Sequence, residues 1–150
     1  MADLHTRGIA VAPLTLHTGL SSLEADERPL PERYDVPAAT ARRVNATRAR
    51  GGRIVAVGTT VTRALETVTT SDGEVRDGHG ITDLVTGPER PPRAVNGLIT
   101  GWHEPQASHL LLLEAVAKTD PVDRAYRAAI DPANGGYLWH EFGDSCLFLP

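Results

Sequence analysis

Residues 99–115, ITGWHEPQASHLLLLEA, gather two histidines, a tryptophan, a glutamate and a serine just ahead of a leucine run. An imidazole titrates near pH 6.5 when unperturbed, so His103 in a loop at a strand end is a candidate for moving protons. Trp102 beside it offers a ring that can stack on a base or a ribose. The competing reading is a packed tryptophan and a histidine satisfied by a backbone carbonyl. A second stretch, VAVGTTVTRALE over 55–66, reads as a buried strand, a Gly-Thr-Thr turn and a helix. A helix start presents free N–H groups and positive dipole charge, which suit a carboxylate or other anion. Gly58 permits close backbone approach, and Thr59 and Thr60 add hydroxyls. At 100° per residue Arg63 and Glu66 lie about 60° apart, opposite the apolar stripe of Val61, Leu65 and Val68. The plainer alternative is a threonine cap and an exposed ion pair.

Other constellations carry less. His79, His103, His109 and His140 are not expected to bind zinc, because His103 and His109 are six apart and Cys146 is the only cysteine. No G-x-S-x-G elbow supports a serine hydrolase. Residues 38–53 hold Arg42, Arg43, Arg48, Arg50 and Arg53 without an acidic residue, five of the chain's 15 Lys and Arg. That density marks a candidate phosphate-contacting surface, or equally a solvated helix whose late arginines complement its dipole. Asp144 falls in a Gly-Asp turn, where an aspartate can simply cap a hairpin.

The elements that must position these groups alternate. LTLH (14–17) places Leu14 and Leu16 on one face and Thr15 and His17 on the other. Residues 20–37, with three prolines and many charges, read as a surface excursion. A helix is expected over 37–52 with Pro37 at its start and Gly51-Gly52 as its stop, then a strand at 53–58 buried on both faces, and a helix at 60–68. Strands are expected at 81–86 and 95–100. Pro105 marks the start of a helix buried on more than one face. Asp120 caps another, ahead of Pro121, and two short strands flank the Gly-Asp turn in 136–150. This alternation predicts a single α/β domain, a mostly parallel sheet flanked by helices.

With 150 residues and 41% hydrophobic content, the chain is long enough for a real core. A net charge of −4 argues against a surface built throughout to coat nucleic acid. Residues 1–19 lack the pattern of a secretory leader, and the longest aliphatic run, Leu110–Leu113, is far short of the roughly 20 residues of a membrane span. A soluble, cytoplasmic protein is expected. The start, however, enters a core strand almost at once, as the middle of a domain would.

In order and spacing, LTLHTG, VAVGTTVTRALE, GITDLVTGP, NGLITGWHEPQASHLLLLEAVA, AYRAAI and YLWHEFGDSCLFL resemble the S-adenosylmethionine:tRNA ribosyltransferase-isomerases of queuosine biosynthesis. The resemblance covers the chain from about Gly8 to Pro150. It implies an α/β domain that in the family carries an inserted β-barrel, here with the N-terminal half and the barrel absent. It also implies a reaction in which S-adenosylmethionine, as co-substrate and without a metal, gives its ribosyl group to 7-aminomethyl-7-deazaguanine in a tRNA anticodon loop. The ribosyl group is isomerised to an epoxycyclopentane, and adenine and methionine leave. In that chemistry the sulfonium acidifies the ribosyl 5′ carbon, and His103 is the candidate base. Asp144 or Glu66 is the candidate acid for adenine departure. Gly58, Thr59 and Thr60, with Arg63 nearby, suit the methionine carboxylate, and Trp102 the nucleoside. Arg42, Arg43, Arg48 and Arg50 would meet the tRNA.

The chain departs from the family in places. Where many members read T-N-F-H it has Thr100-Gly101-Trp102-His103, and the glycine-rich segment after the first strand appears as GLSSL. The Met-His-Ser-Glu region survives as LPERYDVP, keeping Glu32 and Tyr34. The alternative is a non-catalytic fragment or partner subunit that keeps a ligand- or tRNA-binding fold.

Overall fold

A computed structural model of the chain describes residues 2–18, 30–103, 109–134, 136–139 and 142–149. After a short helix α1 (Ala2–Thr6), the order is β1 (Thr15–His17), β2 (Glu32–Val36), α2 (Ala38–Ala49), β3 (Val55–Val57), α3 (Thr59–Thr67), β4 (Gly78–Thr82), β5 (Gly97–Gly101), α4 (His109–Ala117), α5 (Thr119–Ile130) and β6 (Ser145–Phe148). The strands form two sheets. Sheet A runs β1-β2-β4 and is antiparallel throughout; sheet B runs β3-β5-β6. The α/β architecture is therefore as expected, but parallel pairing is confined to β3 and β5, since β6 joins β5 antiparallel.

Helix α3 packs against β3 of sheet B and against all three strands of sheet A. Covered on both sides, it buries Thr62, Arg63, Ala64, Leu65 and Glu66 together. That is why its polar side is not the solvent face that its amphipathic spacing suggests. Leu98, Leu113, Val36, Val75 and Val122 are among the largest wholly buried side chains of the core that both sheets share.

Several local expectations shift. Residues 32–36 are the middle strand of sheet A, not a surface excursion, with Glu32, Tyr34 and Val36 buried. A buried glutamate hides the alternation that marks a strand. β4 begins at Gly78 and ends at Thr82, so only the first part of 81–86 is strand. Gly80 lies across from Tyr34, where a Cβ would sit 3.4 Å from the phenol oxygen, so the ring fills the space the glycine leaves.

β3 is an edge strand rather than a strand buried on both faces: Ala56 is inside, whereas Val57 is 66% exposed. α2 ends as its glycines predict. Gly51, at φ +73°, and Gly52 donate their N–H groups to the carbonyls of Arg48 and Thr47. α5 starts at Thr119 with Lys118 rather than Asp120 as its cap. The proposed start of the preceding helix, Glu104 to Ser108, lies outside the described residues. α4 buries Leu112 and Leu113 but leaves Leu111 exposed. Of the two strands expected in 136–150, β6 forms; residues 136–139 are not a strand.

Candidate functional site

The parallel pair fixes one end of the molecule. Gly58 follows β3 with φ +100° and ψ 146°, backbone that only glycine adopts without strain. Its N–H donates to the Ile99 carbonyl at 2.8 Å, so α3 begins directly beside β5. Gly58, not a threonine, is the helix cap, and no side chain caps the helix. The positive end of the α3 dipole is thus presented at the carboxyl ends of both parallel strands, with Thr59 buried and Thr60 half-buried behind it.

β5 leads at the same end into Trp102 and His103. The Trp102 N–H donates to the Asp144 carbonyl at 3.1 Å, bringing the turn before β6 to this end as well. The Asp144 carboxylate accepts the Leu138 N–H, and its own N–H donates to the Trp139 carbonyl at 3.3 Å. Asp144 therefore fastens Leu138 and Trp139 to the turn before β6, as a capping aspartate does.

Trp102 is buried, with Tyr126 edge-on at 4.9 Å and Tyr137 at 5.6 Å. It is the centre of an aromatic cluster rather than an open stacking platform. His103 is half-buried and stacks on His109 with ring centres 4.2 Å apart and planes 6° from parallel. Residues six apart in sequence thus meet face to face. Among the described residues no group of three or more His, Cys, Asp or Glu is placed to hold a metal.

Below this end the Tyr126 side chain is buried and that of Cys146 is half-buried. Burial first, and then the neighbouring Cys146, push Tyr126 up to about 12, while the His103 backbone pulls the other way. Burial raises the Cys146 thiol to about 11.

Arg63 and Glu66 are held elsewhere. Arg63 Nη1 donates to Glu32 Oε2 at 2.6 Å, Nε to the Leu84 carbonyl at 2.8 Å and Nη2 to the Leu30 carbonyl at 3.1 Å. This buried pair ties α3 to sheet A, and neither an exposed Arg63–Glu66 pair nor a free guanidinium beside Gly58 is formed. Glu66 accepts the N–H groups of Arg93, Ala94 and Val95, at 2.8 to 2.9 Å. Those residues lead into the amino end of β5, so the structure brings Glu66 to the end opposite His103. Seven residues of helix separate Thr59 from Glu66, about 10 Å.

The arginines of α2 also divide. Arg48 donates to the carbonyls of Gly73 and Arg93, tying two loops to the helix, and Arg43 donates to the Val11 carbonyl at 3.1 Å. Arg42, Arg50 and Arg53 are exposed. Spacing alone does not reveal Glu32 as the partner of Arg63. The available signal was a lone glutamate in register with Tyr34 and Val36 on an alternating run.

A parallel strand pair with a glycine-capped helix start and a histidine-bearing loop at its carboxyl end is the layout of an α/β protein that binds ligands at its strand ends. Residues 1–148 match the family model described as "Queuosine biosynthesis protein", and the chain belongs to that family. It is 39% identical over 160 residues to the S-adenosylmethionine:tRNA ribosyltransferase-isomerase of Moorella thermoacetica, covering 99% of this chain and 45% of that protein. The enzyme of that name from Gloeobacter violaceus is also 39% identical, over 157 residues, covering 100% of this chain and 44% of its own length. The crystal structure of S-adenosylmethionine tRNA ribosyltransferase from Thermotoga maritima superimposes with a TM-score of 0.77 at 37% identity, covering 99% of this chain and 48% of that one. The chain therefore spans a little under half the length of the relatives it matches.

Proposed function

We propose that this chain supplies the strand-end half of an S-adenosylmethionine:tRNA ribosyltransferase-isomerase site, acting in the cytoplasm on a tRNA anticodon loop. The observation that carries the reading is the meeting of the α3 start, with no side-chain cap, and His103 at one end of the β3–β5 pair. Gly58, Thr59 and Thr60 receive the co-substrate's carboxylate at the helix start, where backbone N–H groups and dipole favour an anion. His103 takes a proton from the ribosyl 5′ carbon, which the adjacent sulfonium acidifies. Asp144, on the loop fastened to Trp102, gives a proton to the departing adenine.

Arg63 and Glu66 serve this site as positioning residues. One fixes α3 against sheet A and the other fixes the approach to β5, so together they set the two strand ends in register. Trp102 supports His103 from below through its aromatic cluster. Arg42, Arg43 and Arg50 form the tRNA-facing surface, with Arg48 holding the loops beneath it. The remainder of the site, including what the relatives carry outside the matched region, comes from a further segment or a partner polypeptide.

The test is adenine release from S-adenosylmethionine in the presence of tRNA carrying 7-aminomethyl-7-deazaguanine. The chain is supplied together with the unmatched portion of the Moorella thermoacetica enzyme. Release that depends on both parts and falls at least about a hundredfold in His103→Ala supports the reading, a loss typical of a missing acid–base group. Release unaffected by His103→Ala contradicts the role given to that residue, and no release from a folded, associated pair favours a non-catalytic module.

A further inference from the structure

The His109 ring lies flat on the ring of His103, with centres 4.2 Å apart and planes 6° from parallel, and both side chains are half-buried. Two different elements bring the rings together. His103 follows β5 and Trp102, whose backbone N–H is fastened to the Asp144 carbonyl. His109 belongs to α4, and Leu112, Leu113 and Val116 stand three, four and seven positions beyond it, all buried. That spacing sets His109 on the helix face that packs inward, at a place where the pattern calls for an apolar side chain. α4 packs against β5, β6 and α5, so the helix that carries His109 is seated on the strand that leads to His103.

An imidazole gives and takes protons through its two ring nitrogens, which lie at the edge of the ring and in its plane. The torsion that turns this plane is broad and roughly two-fold in histidine, so packing must set it where the direction of the edge matters. A parallel stack does this: it covers one face of the His103 ring, holds the plane and leaves the edge to act. Fixing the direction of a reacting group contributes to rate without any further chemistry.

We infer that His109 is a positioning residue for the proton transfer assigned to His103: its stacked ring sets the plane of the His103 imidazole, and so the line along which a ring nitrogen meets the ribosyl carbon. The task of His103 rests on the proposed function; the task of His109 rests on the ring geometry. A flat aromatic surface at position 109 is what this role requires. Phenylalanine supplies such a surface and has no proton of its own to transfer, whereas alanine and leucine supply none.

The experiment has two readouts. In the 150-residue chain, the His103 ring protons are followed by NMR at about pH 8.5, above the ordinary imidazole range. A neighbouring ring shifts them upfield, so they are expected to move downfield in His109→Ala and to stay near their native positions in His109→Phe. Adenine release is then measured with the chain and the unmatched portion of the Moorella thermoacetica enzyme together, each variant normalised to its folded fraction by circular dichroism. His109→Ala and His109→Leu are expected to lower kcat about tenfold with KM for S-adenosylmethionine within about twofold, and His109→Phe to keep at least about half of kcat. Unmoved His103 signals in His109→Ala overturn the inference alone, and so does an undiminished kcat in that variant. A loss in His109→Phe equal to that in His109→Ala also overturns it, since the ring surface is then not what matters. Release that ignores His103→Ala overturns the role of His103 itself, and this inference with it.

Discussion

Removing either member of the Glu32–Arg63 pair strands the other charge inside the protein. Arg63→Met and Glu32→Ala are each expected to cost about 3–5 kcal/mol in urea unfolding, the usual result of orphaning a buried ion. Glu66→Ala strips the acceptor from three N–H groups and is expected to cost on the order of 3 kcal/mol. A loss within 0.5 kcal/mol in either case would contradict the positioning roles. Tyr126 and Cys146 make a pH prediction. Their folded values are raised, Cys146 from 9 to about 11 and Tyr126 from 10 to about 12. The folded state therefore keeps its protons longer than the unfolded chain does. The stability this brings is fully present below about pH 9 and is lost as pH rises through 11 to 12. Thermal melts from pH 8 to 11 are expected to decline across that window, and Cys146→Ala is expected to flatten part of the decline. The residue types were legible at this scale; their partners were not. Arg63 and Glu66 stand on one polar side of an amphipathic helix, and nothing in that helix's own spacing reveals a second sheet lying over that side.

At the scale of elements, backbone geometry is the readable part. The glycine pair that stops α2 and the Gly-Thr-Thr turn that starts α3 both do what glycine's conformational freedom implies. Gly58→Ala forces a Cβ onto a φ of +100° and is expected to cost about 1–3 kcal/mol of stability, besides weakening any anion held at the α3 start. Lys118 is the converse case. A lysine holds φ +68° and ψ 162° ahead of α5, a region glycine occupies at little cost. Lys118→Gly is therefore expected to raise stability by about 1 kcal/mol, measured as a shift in the urea midpoint, and a fall would contradict the assigned backbone. Element boundaries were harder. β2 was hidden because a charged residue occupies an inward position, and β4 was expected too late, at 81–86, because Gly78 and Gly80 interrupt the apolar pattern of a strand. Parallel pairing was over-extended because alternation of strands and helices does not say which strand lies next to which.

Among the described residues of the whole molecule, sheet B carries an exposed apolar row. Val57, Leu147 and Leu149 stand on the outward side of sheet B, with exposures of 66%, 54% and 45%. Cross-strand register places Val57, Ile99 and Leu147 in one row. An apolar row of this kind binds hydrophobic dyes and promotes association. The purified chain is expected to enhance anilinonaphthalene sulfonate fluorescence, and the double variant Val57→Lys, Leu147→Lys is expected to reduce that enhancement by half or more while retaining its circular dichroism. Full enhancement in the double variant would place the dye elsewhere. An open apolar face fits a chain that matches its relatives over less than half their length, since in a longer protein such a face has room for a cover. No described helix is long and apolar enough to cross a membrane.

On the proposed function, the start of α3 and the segment carrying His103 form one wall of a nucleoside site. Calorimetric titration of the chain with S-adenosylmethionine, with Gly58→Ala and His103→Ala alongside, tests it most directly. Saturable binding weakened about tenfold or more by each substitution is the predicted result. Binding that ignores both substitutions would contradict it.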